Sequence, residues 1–333
     1  MKTKSPKTQV VAFGELLLRL DTPGHERFVQ AESFTARYTG GEANVAVALA
    51  QWGLETFAVS KVPAHEIGQA CVNALRRYGV NTDHVLRGGD RLGILYVETG
   101  ASQRASKVIY DRADTSFRTL KQGELDWEAI LSGRDWLHVT GTAPALGENV
   151  RAVVRDGLRT AKRMGVTVSL DVNYRSSLWP VSEARRVLGE LLPDVDVLAG
   201  TPHDATALFD IAGEAADSAQ ALRQHFGLRA VAYTLRGGSG ASDGSFSGLL
   251  CDAEGVHESR RYDMQFVDRV GGGDAFTAGL IYGLLSRWPA RRTIEFAAGA
   301  GCLKHSIPGD FNLVSFEEVQ ALANGDGTGR IQR

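Results

Sequence analysis

Short apolar runs rich in β-branched residues alternate with helix-forming stretches along most of this chain, and no other feature limits its fold as strongly. The runs Val10–Phe13, Thr56–Val59, Trp136–Thr140, Val166–Leu170, Val195–Leu198 and Ala230–Leu235 read as strands. Helical patterns at Ala43–Trp52, His65–Tyr78, Asn149–Arg163, Glu183–Leu192 and Ala219–His225 fall between them. The first two helices run into Gly53 and Gly79, the residue type that most readily leaves a helix in the left-handed conformation. This order predicts an α/β fold with a mostly parallel central sheet and helices on both faces. Such sheets bind ligands at the carboxyl ends of their strands. No repeat, linker or low-complexity stretch interrupts the chain, so a single domain over residues 1–333 is expected.

Two segments break the rhythm. Residues 16–38 and 91–117 alternate polar and apolar positions without helical period, and Gly93–Glu98 and Lys107–Arg112 read as antiparallel strands. They predict a small β-sheet lid over the site. The tail Asn324–Arg333 has no apolar period and is expected to fray.

Charge and cysteine usage narrow the function classes. The 37 Lys and Arg against 39 Asp and Glu leave a net charge of −2, which excludes a generally basic nucleic-acid binder. Three widely spaced cysteines without a C-x-x-C pair read as reduced thiols. Lys2, Lys4 and Lys7 precede Val10–Phe13 as in a signal peptide, but Gly14 and Glu15 cut the apolar run short. No window is long and apolar enough for a membrane span, so a cytoplasmic location is expected. There is no H-E-x-x-H or Cys/His metal spacing, and no G-x-x-x-x-G-K-[ST] phosphate loop.

The 38 glycines exceed the usual share of ~7%, and two clusters of them open helices. Gly271, Gly272 and Gly273 run through Asp274 into the apolar stretch Ala275–Leu285. Consecutive glycine amides at a helix N-terminus form a concavity suited to phosphate. An aspartate beside phosphate makes sense as a base that accepts a proton from an attacking hydroxyl; equally, Asp274 reads as a helix N-cap. In the second cluster, Gly40 and Gly41 let a substrate approach the backbone, with Asn44 available to hold a hydroxyl. A glycine turn with a solvent-facing Asn44 is the plainer account of that cluster alone.

Together the clusters resemble the two signature motifs of ribokinase-like (PfkB-family) carbohydrate kinases. Gly40-Gly41-Glu42-Ala43-Asn44-Val45-Ala46 matches the N-terminal motif, and Asp268 through Gly279 the C-terminal one. The resemblance spans almost the whole chain. It implies the ribokinase-like three-layer fold with a β-sheet lid, an anion hole at Gly271–Gly273, and Asp274 as catalytic base.

Within that family the chain most resembles 2-keto-3-deoxygluconate kinases. The resemblance lies in Gly14-Glu15, Arg91-Leu92-Gly93-Ile94, Gly100-Ala101-Ser102-Gln103-Arg104, Tyr110-Asp111-Arg112-Ala113 and Asp171-Val172-Asn173-Tyr174-Arg175. It implies that Tyr110, Arg112 and Arg175 grip a sugar acid, with Tyr96, Arg104, Gly40, Gly41 and Asn44 as further substrate contacts. Guanidinium groups at 104 and 112 suit a carboxylate, and a neutral sugar would gain little from them. The implied reaction is ATP-dependent phosphorylation of the 6-hydroxyl of 2-keto-3-deoxygluconate. The rivals are a kinase for another sugar acid or a neutral ketose such as fructose, or a sugar-acid-binding protein without transfer activity.

The resemblance also implies ATP with Mg²⁺ and leaves room for a monovalent cation. Thr234, Arg236, Gly237 and Gly240 stand where the family has its T-L-G-x-x-G nucleotide stretch, and Ala297–Gly301 is expected on the adenine side. The family's N-x-x-E element is replaced by Thr201-Pro202-His203-Asp204, so a metal role falls only to Asp204, through water. Arg269 and Pro63 stand where threonine and glycine are common. The open edges of a lid sheet invite pairing with a second subunit, so a homo-oligomer is expected.

Overall fold

A computed structural model describes residues 8–238 and 240–327. The expected tail beyond residue 327 and the N-terminal lysines at 2, 4 and 7 lie outside the described residues.

Seven strands form a parallel array. From one edge they run Asn81–Arg87, Glu55–Val62, Gln9–Phe13, Trp136–Thr140, Thr167–Asp171, Val197–Gly200 and Ala230–Gly237. Asp243–Cys251 extends the sheet antiparallel, and Val256–Glu258 and Tyr262–Gln265 pair with that strand. Alternation along the central strands divides the core. Val11, Phe13, Leu137 and Val139 pack into one apolar layer, while Val10 and Trp136 face the other with Phe276 and Phe296. Helices are thereby bound to both faces, as continuous apolar parallel strands require.

The expected strand at Trp136–Thr140 matches in full, and the others shift by a few residues. The edge strand Asn81–Arg87 was not expected, because its sequence is largely polar. Gly53 and Gly79 adopt φ of 89° and 83° and end their helices as read.

The lid is a four-stranded sheet ordered Thr35–Thr39, Leu17–Asp21, Gly93–Glu98, Lys107–Asp111. The outer pairs are antiparallel, but Leu17–Asp21 and Gly93–Glu98 run parallel, which alternation alone could not reveal. Among the described residues, no helix is long and apolar enough to cross a membrane.

Candidate active site

A cavity of about 540 Å³ lies between the lid and the carboxyl ends of the parallel strands. Asp171 and Gly200 are the last residues of their strands, and Thr140, also a strand end, packs against the cavity-lining Glu42. Glu15 follows the first strand.

The two glycine clusters meet here. Asn44, in the first turn of helix Gly41–Gln51, donates its side-chain amide to Asp274 at 2.6 Å. A Cβ on Gly41 would lie 3.8 Å from the Asp274 carboxylate, so the bare backbone keeps that approach open. Helix Gly272–Leu285 is N-capped by Gly271 at φ 85°, with no side-chain cap bond. Asp274 is its third residue and is therefore not the cap. The glycines form the cap and first turn themselves, where helix N–H groups lack intrahelical acceptors. Gly271 and Gly272 are fixed by crowding: a Cβ on either would run into the Asp310 carbonyl oxygen or the His305 ring.

Burial raises three carboxyl groups around this floor. Asp274 is pushed up to about 6, against the lowering effect of the Asn44 amide. Asp171 rises to about 7, first through burial and then through the neighbouring charges of Asp274 and Asp204. Glu42, bonded by the Thr140 hydroxyl and amide, also rises to about 7 through burial. Opposite in sign are Arg175, Arg236 and Arg269, which also line the cavity. Burial and the charges of Arg175 and Arg269 lower the pKa of Arg236, so this group favours an anion that would relieve the repulsion. The arrangement can take a proton at Asp274 beside three arginines whose mutual repulsion an anion would relieve.

On the lid side, Arg112 is 8% exposed and its Nε donates to Glu15 at 2.6 Å. Thr115 donates to the other Glu15 oxygen at 2.5 Å. Tyr110 lines the cavity beside Arg112, 5.8 Å from its guanidinium carbon.

A family model described as pfkB family carbohydrate kinase matches residues 7–312. The chain belongs to that family. This pfkB-family kinase is 34% identical over 323 residues to a 2-dehydro-3-deoxygalactonokinase of Haloferax volcanii, covering 96% of this chain and 98% of that protein. The crystal structure of a 2-dehydro-3-deoxygluconokinase from Thermotoga maritima superposes with a TM-score of 0.93 at 42% identity, covering 96% of this chain and all of that one. A putative ribokinase II from E. coli, solved in complex with ATP and Mg²⁺, shares the fold with a TM-score of 0.80 at 18% identity, covering 95% and 99% of the two chains. The protein is therefore a carbohydrate kinase.

In the pfkB-family kinase, Gly40, Gly41, Asn44, Tyr110, Arg112, Arg175, Thr234, Arg236, Gly271, Gly273 and Asp274 all line this cavity, and Gly272 packs against the His305 ring. Five expected contacts lie elsewhere in the structure. Tyr96 points to the other face of its strand and meets the Phe34 ring at 6.1 Å, while its neighbours Leu95 and Val97 face inward. Arg104 is held on the lid by Glu98 at 2.8 Å and the His25 carbonyl, away from the cavity. Gly237 ends its strand without lining the cavity, and Gly240 lines a second, adjoining cavity of about 590 Å³ instead. Ala297–Gly301 is consumed by packing, since Gly279 meets the Ala297 backbone and Gly301 meets Phe246.

Asp204 reaches the cavity, but its Oδ2 accepts from the Thr201 amide at 2.8 Å and hydroxyl at 2.7 Å, a capping box for helix Pro202–Phe209. Among the described residues, no group of three or more His, Cys, Asp or Glu side chains could hold a metal alone. Glu15, Asp171 and Arg269 are site residues that the sequence reading missed as contacts. Glu15 and Asp171 lie inside motifs that carried the family resemblance, and Arg269 registered only as a departure.

Proposed function

We propose that this pfkB-family kinase transfers the γ-phosphoryl group of ATP to the 6-hydroxyl of 2-keto-3-deoxygluconate. The observation that carries the reading is the convergence of Asp274 and its Asn44 partner with the lid arginine Arg112 on one cavity. Arg112, with Tyr110 and Arg175, holds the carboxylate end by charge-assisted hydrogen bonds. Asp274 accepts the proton of the 6-hydroxyl as its oxygen bonds to the γ-phosphorus. The bond from phosphorus to the bridging β–γ oxygen breaks, and ADP leaves. Amides of Gly271–Gly273 with Arg236, beside Thr234, face the transferring group, in a reaction governed by positioning and electrostatics.

Mg²⁺ accompanying a nucleotide commonly takes one or two carboxylates plus phosphate oxygens, and carboxylates without an all-protein cage among the described residues fit that habit. Asp171, with Asp204 through water, would hold it, and the ion would neutralise phosphate charge. The open lid edges Thr35–Thr39 and Lys107–Asp111 support pairing with a second copy.

The galactonate-named relative favours one second reading, the C4 epimer 2-keto-3-deoxygalactonate. An ADP-release assay over both keto acids and fructose tests these readings. The expected result is kcat/KM for a keto acid well above that for fructose. Equal turnover of fructose overturns the sugar-acid assignment.

A further inference from the structure

Arg19 belongs to the lid strand Leu17–Asp21, yet it is only 2% exposed. Its guanidinium reaches out of the lid into the kinase body. Nε donates to Asp21 at 2.7 Å, Nη2 to Asp268 at 2.7 Å, and Nη1 to Asp310.

Both body carboxylates are built into the glycine loop. Asp268 precedes it and accepts from the amides of Val270 at 3.0 Å and Gly309 at 2.9 Å. Asp310 braces its far side, with its carbonyl oxygen in the space a Gly271 side chain would need. The Asp310 carboxylate also accepts from the Thr39 hydroxyl, which lies 3.3 Å from Asn44 Oδ1, and Asn44 in turn holds Asp274. One planar fork thus joins the lid and both flanks of the phosphate loop, and through Asp310 and Thr39 it abuts the Asn44 side chain that holds the base. A lysine at this position keeps the charge but cannot reach three carboxylates in that geometry.

We propose that Arg19 is a positioning residue that couples the lid to the glycine loop, so that a sugar acid seated under the lid tightens the site for nucleotide. Linkage makes the effect reciprocal: bound nucleotide tightens the site for the sugar acid by the same factor. The proposal rests on the reading of the cavity as a joint site for sugar acid and ATP.

Calorimetry with a non-hydrolysable ATP analogue and Mg²⁺, with and without saturating 2-keto-3-deoxygluconate, measures this coupling. In the wild type the keto acid should tighten nucleotide binding by about fivefold or more, the lower end of usual coupling factors. In Arg19→Lys the factor should fall to near one, while the affinity for each ligand alone stays close to wild type. Ser242→Ala is the control: it removes a lid–body hydrogen bond, from the Ser102 amide at 2.9 Å, that does not touch the glycine loop. Its coupling should persist.

Full coupling in Arg19→Lys, or equal loss in Ser242→Ala, overturns the proposal. Removing one partner from a buried ion network often unfolds a protein, whereas removing both charges is tolerated better. If Arg19→Lys does not fold, the charge-balanced pair Arg19→Met/Asp310→Asn must show the same loss. A wild type that binds no keto acid refutes the substrate reading alone, and coupling is then measured with the sugar it does phosphorylate. No tightening by that sugar overturns the role of Arg19.

Discussion

The side-chain amide of Asn44 and the carboxylate of Asp274 are 2.6 Å apart, although 230 residues separate them in the chain. The amide favours the charged form of the acid, while burial favours the neutral one, and burial prevails. Asp274 is thereby poised near 6, within reach of neutral pH, where a base is most useful.

Asp274→Asn keeps the shape of this contact and removes the proton acceptor. Steady-state kinetics should show kcat lower by about 10²–10⁴-fold, the usual contribution of a positioned base. Nucleotide affinity, measured by calorimetry, should change little. Turnover near wild type would show that the proton goes elsewhere.

The pH profile should carry the same signature. A base must be deprotonated, so kcat/KM should fall as pH drops through about 6. Asn44→Ala removes a group that lowers the Asp274 pKa, so the acid limb should move to higher pH. A limb that stays in place would separate the two residues functionally.

Arg112→Ala should raise KM for the keto acid by roughly 10–150-fold, as expected for a lost hydrogen bond to a charged group worth ~1.5–3 kcal/mol. The KM for ATP should hardly move. Equal weakening of both substrates would remove Arg112 from the carboxylate end.

Stability should run against activity in pH. Burial pushes Glu42 and Asp171 up to about 7 and Asp274 up to about 6 in the folded chain, above the ordinary 4.5 of Glu and 3.8 of Asp. The native state therefore holds protons that the unfolded chain has already released. This stabilisation is complete below about pH 4 and is lost as pH rises through 6 and 7. The Tm of the ligand-free enzyme should fall from pH 5 to pH 8, apart from the other titrating groups. Asp171→Asn should flatten that fall.

Much of this architecture was legible because parallel strands buried on both faces appear as unbroken apolar runs, as at Trp136–Thr140. The edge strand Asn81–Arg87 escaped because its polar residues carry no such mark. At the site, the glycines beside Asp274 and Asn44 admitted a cap or a plain turn, and only the pairing of the two clusters as a family signature singled the residues out. Tyr96 was misplaced because a strand reverses facing at every residue, and only register tells which face looks inward. Arg104 failed for a related reason: the sequence showed a lid arginine but not the Glu98 that holds it. Arg19, a lone arginine in an apolar strand, gave no sign of three carboxylates brought from positions 21, 268 and 310.

The pairing of Arg112 with Glu15 bears on which molecules the proposed site would select. A bare guanidinium would collect any small anion in the surrounding solution, including the inorganic phosphate that accumulates where ATP is spent. With Glu15 as a resident counter-ion, held in place by Thr115, entry requires more than negative charge. On the proposed reading, a ligand held by Arg112 must offer hydroxyls and shape as well as charge, because Glu15 already occupies the guanidinium.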